Sequence, residues 1–216
     1  MVKSIMPKVF MWMFIGLLVT FGTGYLVSLN QTMVANIFSG IARYIIILVT
    51  LGVGVILGSL IHKMNTPVAI CLYLLYTFLT GLTISIIFVV YKISFILTVF
   101  VVAALLFGTF ALIGKVIKLD LSKFYTYLMM GLIGIVLLGI ANIFLKISWM
   151  YILISWVSLI IFLVYTAVDI QRISKTFVEG EDANKIAIIG AFSLYLDYIN
   201  IVMDLINLFG KGNTKD

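Results

Sequence analysis

Apolar runs long enough to cross a bilayer recur along almost the entire chain, and the polar residues fall in short clusters between them. A spanning helix needs roughly 20 such residues, because about 30 Å of hydrocarbon must be covered at about 1.5 Å per residue. A window of that length finds candidates near residues 6–28, 42–62, 67–90, 93–114, 124–145, 148–170 and 186–208. This pattern predicts an all-α polytopic membrane protein with seven transmembrane helices. The loops are short and show no linker, low-complexity tract or repeat, which predicts one compact helical bundle over residues 1–216. Asn65-Thr66-Pro67 marks the start of the third span, with Thr66 as the expected N-cap and Pro67 as the first helical residue. Gly54 and Gly58 in the second span, and Gly131 and Gly134 in the fifth, are expected to serve close helix packing.

Composition excludes a soluble domain, with 64% hydrophobic residues, 10% charged residues and a mean hydropathy of +1.28. The first apolar run is one of many, so it is expected to be retained as a span and not removed as a signal peptide. The net charge of +6 does not imply a nucleic-acid partner, since the basic residues lie singly or in small groups between apolar runs. They act as topology signals instead. With the N-terminus inside, Lys3, Lys8, Lys63, Lys115, Lys118, Lys123, Arg172, Lys175 and Lys185 face the cytoplasm, against Arg43, Lys92, Lys146, Lys211 and Lys215 on the other side. The excess on the first side predicts a cytoplasmic N-terminus. Cys71 is the only cysteine, so no intrachain disulfide forms. The compact length points to a bacterial inner membrane; an endoplasmic reticulum or Golgi membrane would follow from a eukaryotic or viral origin.

The last span breaks the apolar pattern. SLYLDYINIVMDLIN, residues 193–207, carries two aspartates and two asparagines in an otherwise hydrophobic helix. At about 100° per residue, and with Asp197 at zero, Ser193 falls near −40°, Asn200 near −60°, Asp204 near −20° and Asn207 near −80°. All five share one arc of about 80°. A central Asp facing lipid costs at least about 2.5 to 3.5 kcal/mol, so the stripe must face protein or water.

The sixth span carries a matching acid, Asp169, with Arg172 and Lys175 just beyond it. If that helix continues to about Phe177 and the seventh begins near Asp182, both acids sit some 10 to 25 Å inside their cytoplasmic ends. Two adjacent carboxylates in a low dielectric cannot both ionise cheaply, so such a pair shares a proton and titrates as a unit. The alternative is that each acid is a satisfied polar group: Asp169 paired with Arg172 at i+3, and Asp204 capped or hydrated at the far end. The acidic segment VEGEDANK, with Glu179, Glu181 and Asp182, lacks the length and spacing of an EF-hand and reads as a solvated turn with Asp182 as a helix cap.

VDIQRI in the sixth span, SLYLDYIN followed by NLFG in the seventh, and ANIFL at 141–145 together resemble the transmembrane Bax-inhibitor motif family, with a likeness that extends over nearly the whole chain. The resemblance implies a fold in which the seventh helix is central and wrapped by the other six. It also implies a calcium leak regulated by pH through an aspartate pair, which falls on Asp169 and Asp197. In the family's closed state a basic residue near the end of the second helix latches the sixth-helix aspartate. Here His62 or Lys63 could supply it, and Arg172 is a further candidate.

These readings converge on a cation path along the polar face of the seventh helix, gated by Asp169 and Asp197, with Ser193, Asn200, Asp204 and Asn207 lining it. Calcium favours carboxylate and carbonyl oxygens, and two or three acids without a full cage bind it only transiently. Calcium is then the transported ion, the bilayer is the environment, and no permanent cofactor is expected. An intramembrane aspartyl protease would need a GxGD motif and a following Pro-Ala-Leu. The residues before Asp197 are Tyr-Leu, and the only prolines are Pro7 and Pro67, so no enzyme is expected. The alternative is a regulatory membrane protein that binds other membrane proteins, such as quality-control proteases or cell-death factors, with little or no ion flux.

Overall fold

A computed structural model describes residues 4–176 and 182–215, without the side chains of His62 and Asp182. Glu179 and Glu181 of the acidic segment, and the side chain of the expected cap Asp182, lie outside the described residues. Among the described residues the long elements are all helices: α1 Met6–Ser28, α2 Gln31–Phe38, α3 Ala42–Leu60, α4 Thr66–Val90, α5 Ile93–Val116, α6 Tyr125–Leu145, α7 Ser148–Ser174 and α8 Asp182–Phe209. Seven of them, all but α2, are long and apolar enough to cross a membrane, and their bounds follow the runs read from the sequence within a few residues. The all-α polytopic class is therefore observed.

Three boundaries differ from expectation. Helix α2 was not expected; its eight residues are too few to span. It begins at Asn30, whose side-chain oxygen accepts from the Met33 amide at 3.1 Å. The N-cap of α4 is Asn65, not Thr66. Asn65 has extended dihedrals and its side chain accepts from the Val68 amide at 3.2 Å, which moves Thr66 and Pro67 into the first turn. Helix α7 runs past the 148–170 span to Ser174 without reaching Phe177, and at its end Lys175 donates its amide to the Gln171 carbonyl at 3.3 Å and the Ser174 hydroxyl donates to the same carbonyl at 2.9 Å.

The chain forms two compact units. The first comprises Met1–Lys92, Thr176–Tyr195 and Lys215; the second comprises Ile93–Lys175, Leu196–Thr214 and Asp216. In the first, α1 and α4 approach almost backbone to backbone. A side chain at Gly81 would lie 2.8 Å from the Thr20 carbonyl oxygen, and one at Gly24 would lie 3.2 Å from the Gly81 carbonyl. Gly54 admits the Tyr76 ring, whereas Gly58 faces open space. The first half of α8 is anchored here by Tyr195, fully buried, whose hydroxyl lies 2.6 Å from Thr20 Oγ1. Thr20 spends its one proton on the Thr77 carbonyl at 2.8 Å, so Tyr195 is the donor.

In the second unit α7 packs on α5 and α6. Gly114 of α5 touches the backbone of Ala167 so closely that a methyl group there would collide with the Ala167 carbonyl oxygen and lie 2.8 Å from its Cα. Gly131 meets the Ile161 side chain, and Gly134 meets nothing. The turn into α7 is held by Asn142, which is fully buried: its amide nitrogen donates to the Ile147 carbonyl at 3.2 Å and its oxygen accepts from the Ile147 amide at 2.9 Å. That clamp fixes Lys146 in the left-handed region at φ 54°. At the other end, Gln171 accepts from the Leu121 amide at 2.8 Å and donates to the Leu119 carbonyl at 2.8 Å. Burial is unequal among the spans: 67% of the most hydrophobic stretch of α8 and 50% of that of α7 are buried, against 6% for the span that includes α6.

These contacts set the expected cost of three substitutions. Gly114→Ala is expected to cost about 1–3 kcal/mol through overpacking against backbone that has nowhere to go. Gly58→Ala is expected to be neutral or to stabilise by up to about 1 kcal/mol through helix propensity. Thermal unfolding in detergent checks both, and equal midpoints for the two variants would contradict the packing described. Gln171→Leu is expected to cost about 1–3 kcal/mol by stranding the buried Leu121 amide. Amide hydrogen exchange should show faster exchange confined to the last turns of α7 and the 117–124 segment.

Candidate functional site

The buried acids of the described chain lie in the second unit. Asp169 on α7 and Asp197 on α8 are 8% and 4% exposed, and Asp204, two turns further along α8, is 7% exposed. Asp169 lies within electrostatic range of Asp197, so the expected pair is brought together. One carboxylate oxygen of Asp197 is buried without a hydrogen-bond partner among the described residues, and the same holds for one oxygen of Asp204. Asp204 does have one partner, the Ser158 hydroxyl of α7. Asp169 is within electrostatic range of Asp197, and Ser158, eleven positions earlier on α7, bonds Asp204, seven positions later on α8. The two helices therefore run antiparallel along this seam.

The remaining stripe residues differ in surroundings. Ser193 and Asn200 are half-buried, and Asn200 donates to the Leu196 carbonyl one turn back at 2.7 Å. Asn207 is exposed. With α7 ending at Ser174, Asp169 is about 7 Å from its helix end and Asp197 about 22 Å from the start of α8. Tyr198, adjacent to Asp197, donates to the Phe100 carbonyl of α5 at 2.9 Å and sets its ring edge-on to Phe107 at 5.8 Å, which fixes the rotation of α8 in this unit.

Of the candidate latches, Arg172 is exposed and its guanidinium lies 6.0 Å from the centroid of the Tyr125 ring. Lys63 is exposed on a 3-10 turn after α3, in the first unit. The His62 side chain lies outside the described residues.

Sequence reading missed two site residues, Ser158 and Tyr165. Tyr165 is 6% exposed, its hydroxyl is within electrostatic range of both Asp169 and Asp197, and that hydroxyl has no partner among the described residues. The wheel arithmetic that exposed the α8 stripe would have found them. With Asp169 at zero, Ser155 falls near +40°, Ser158 near −20°, Tyr165 near −40° and Thr166 near +60°, one polar arc of about 100° on a hydrophobic helix. All four are buried.

One acid outside the spans provides a contrast. Asp120, exposed before α6, accepts from the Ser122 hydroxyl at 2.6 Å and the Ser122 amide at 3.2 Å, with Lys175 3.7 Å away. The Ser122 bonds, then the charges of Lys175 and Lys123, hold its carboxyl below the usual range. Asp120 therefore stays ionised throughout the neutral range.

The sequence matches the family described as "Inhibitor of apoptosis-promoting Bax1" over residues 2–214. It is 34% identical over 215 residues to the inner membrane protein YbhL of Escherichia coli, covering 97% of this chain and 92% of that protein. Proteins of Borreliella burgdorferi and Deinococcus radiodurans are 36% and 32% identical over 214 and 218 residues, covering 97% and 100% of this chain and 92% of each relative. Seven apolar helices and an inner-membrane relative make this an integral membrane protein of the bacterial inner membrane. The family match runs through all three motifs, VDIQRI, SLYLDYIN and ANIFL, and the chain belongs to the Bax inhibitor family of membrane proteins.

Proposed function

We propose that the protein is a pH-sensitive calcium leak, gated by a proton-sharing pair of Asp169 and Asp197. The observation that carries the reading is the placement of these two carboxyl groups: both buried, on different helices, in electrostatic range, with one Asp197 oxygen lacking a hydrogen-bond partner among the described residues. A structural acid would be expected to have its lone pairs used. Two acids in low dielectric ionise together only at a cost, so one shared proton is the stable arrangement near neutral pH.

Deprotonation supplies two anionic oxygen donors for a passing cation and adds repulsion between α7 and α8. Protonation removes both. Asp204 with Ser158 is a second station along α8, and Ser193, Asn200 and Asn207 complete the polar face. No group of three or more His, Cys, Asp or Glu residues able to hold a metal occurs among the described residues, and a sparse donor set suits passage better than storage. The N-terminus faces the cytoplasm in this reading, following the distribution of Lys and Arg.

Flux of calcium into dye-loaded liposomes is expected to rise as pH is raised from mildly acid to mildly alkaline. Asp169→Asn and Asp197→Asn should each flatten that dependence. Asp120→Asn should leave it unchanged, because Asp120 is ionised throughout the range. A flux that rises on acidification would overturn the assigned direction. The family description as an inhibitor of another protein favours one other reading, a regulator that binds membrane proteins with little or no flux. Absence of flux from folded protein at every pH would select it, and in that case Asp197→Asn leaves partner binding intact.

A further inference from the structure

Tyr165 is a buried polar group that the gate as described above leaves without a role. It stands one turn before Asp169 on the same face of α7. Its ring is held edge-on by Tyr125 of α6 at 5.8 Å and tilted against Phe162 at 6.3 Å. Its hydroxyl is buried and has no hydrogen-bond partner among the described residues, and the same is true of one Asp197 oxygen. The first is a donor and the second an acceptor, and they lie in electrostatic range of each other. In a bilayer neither can turn to lipid for a partner.

We propose that Tyr165 is a positioning residue of the aspartate gate, its hydroxyl donating to the ionised Asp197 carboxylate across one water molecule. The inference rests on Asp169 and Asp197 being the titrating pair. A bond to the charged form favours that form, so the phenol sets the pH at which the pair gives up its proton. When the proton returns, the carboxylic acid has its own O–H to donate and the phenol loses its anionic acceptor.

The ionisable groups around the hydroxyl are Asp169 on its own helix, Asp197 from α8 and Tyr125 from α6. The Arg172 guanidinium, on α7 beyond Asp169, lies 6.0 Å from the centroid of the Tyr125 ring. Helix α5 and the 121–124 turn also pack on α7, through Gly114 against Ala167 and through Leu121 against Ala167 and Val168. The ionisable groups they carry, Lys115, Asp120 and Lys123, are exposed.

Tyr165→Phe removes one oxygen and keeps the ring that Tyr125 and Phe162 hold. In liposomes the midpoint of the calcium-flux profile is expected to move to higher pH by about one unit, with the plateau at alkaline pH within about twofold of wild type. An unchanged midpoint, with flux intact, would overturn the proposal. A second readout does not depend on flux. In protein carrying isotope-labelled aspartate, infrared difference spectra across the same pH range report the carboxyl band directly. The carboxyl midpoint should shift in Tyr165→Phe, and in wild type a tyrosine ring band should change together with it. Failure of either infrared change would overturn the role of Tyr165, whereas absent flux with both changes present would remove the leak and keep the hydrogen bond.

Discussion

Hydrocarbon offers no hydrogen-bond partners, so each polar atom of a spanning helix must find one within the protein or in water that the protein admits. A mid-span carboxylate facing lipid costs at least about 2.5 to 3.5 kcal/mol, more than a typical surface contact returns. Two helices in this chain carry such groups, α7 with Asp169 and α8 with Asp197 and Asp204. These are also the two with the largest buried shares. The span containing α6, whose face includes no acid, is the least buried. Acids thus coincide with the two most covered spans, while α4, which carries none, is 44% buried through its close packing on α1.

The same constraint accounts for the many hydroxyls. Thr50, Thr80, Thr83, Thr98, Thr109 and Thr166 each donate to the carbonyl four residues earlier, at 2.7 to 3.0 Å. A hydroxyl disposed of in this way is compatible with any surroundings. Against that background, three buried atoms stand without partners among the described residues: Tyr165 Oη, Asp197 Oδ2 and Asp204 Oδ2. All three belong to α7 or α8 and to the second unit. Tyr195, two residues before Asp197 and in the first unit, is fully paired through Thr20 and the Thr77 carbonyl. One helix thus serves as an anchor over its first half and carries unsatisfied polar groups over its second.

Hydropathy made the seven spans legible because each needs a run of apolar residues that nothing else in a sequence imitates. It could not reveal α2, since eight residues give no window, nor choose Asn65 over Thr66, since both are good caps and only the backbone dihedrals decide. The α8 stripe was legible because its acids and amides are conspicuous among Ile, Leu and Val. The α7 stripe is equally present on the wheel but draws no notice, because Ser155, Ser158 and Tyr165 are ordinary residues in a membrane helix until burial and a facing carboxylate give them meaning. Gly54 and Gly58 looked equivalent, yet only Gly54 has a ring against it. Spacing states which face two residues share, not what lies opposite.

The motif letters other than aspartate have a structural explanation. Asn142 in ANIFL holds the entry to α7 with both arms of its amide, and Gln171 in VDIQRI holds the exit by bonding Leu121 and Leu119. Between those two clamps lie Ser155, Ser158, Tyr165 and Asp169. One turn before the Gln171 clamp, Gly114 brings α5 onto the Ala167 backbone, two residues from Asp169, where even a methyl group would not fit. A helix clamped at both ends and pressed by backbone beside its acid resists sliding that would move the carboxylate away from a neighbour. In the proposed gate a change of charge on the pair would then be taken up by side chains and by the second half of α8, which Tyr198 ties to the Phe100 carbonyl at 2.9 Å. Clamps at both ends of α7, with buried oxygens on α7 and α8 that have no partner among the described residues, are the features on which the proposed gate rests.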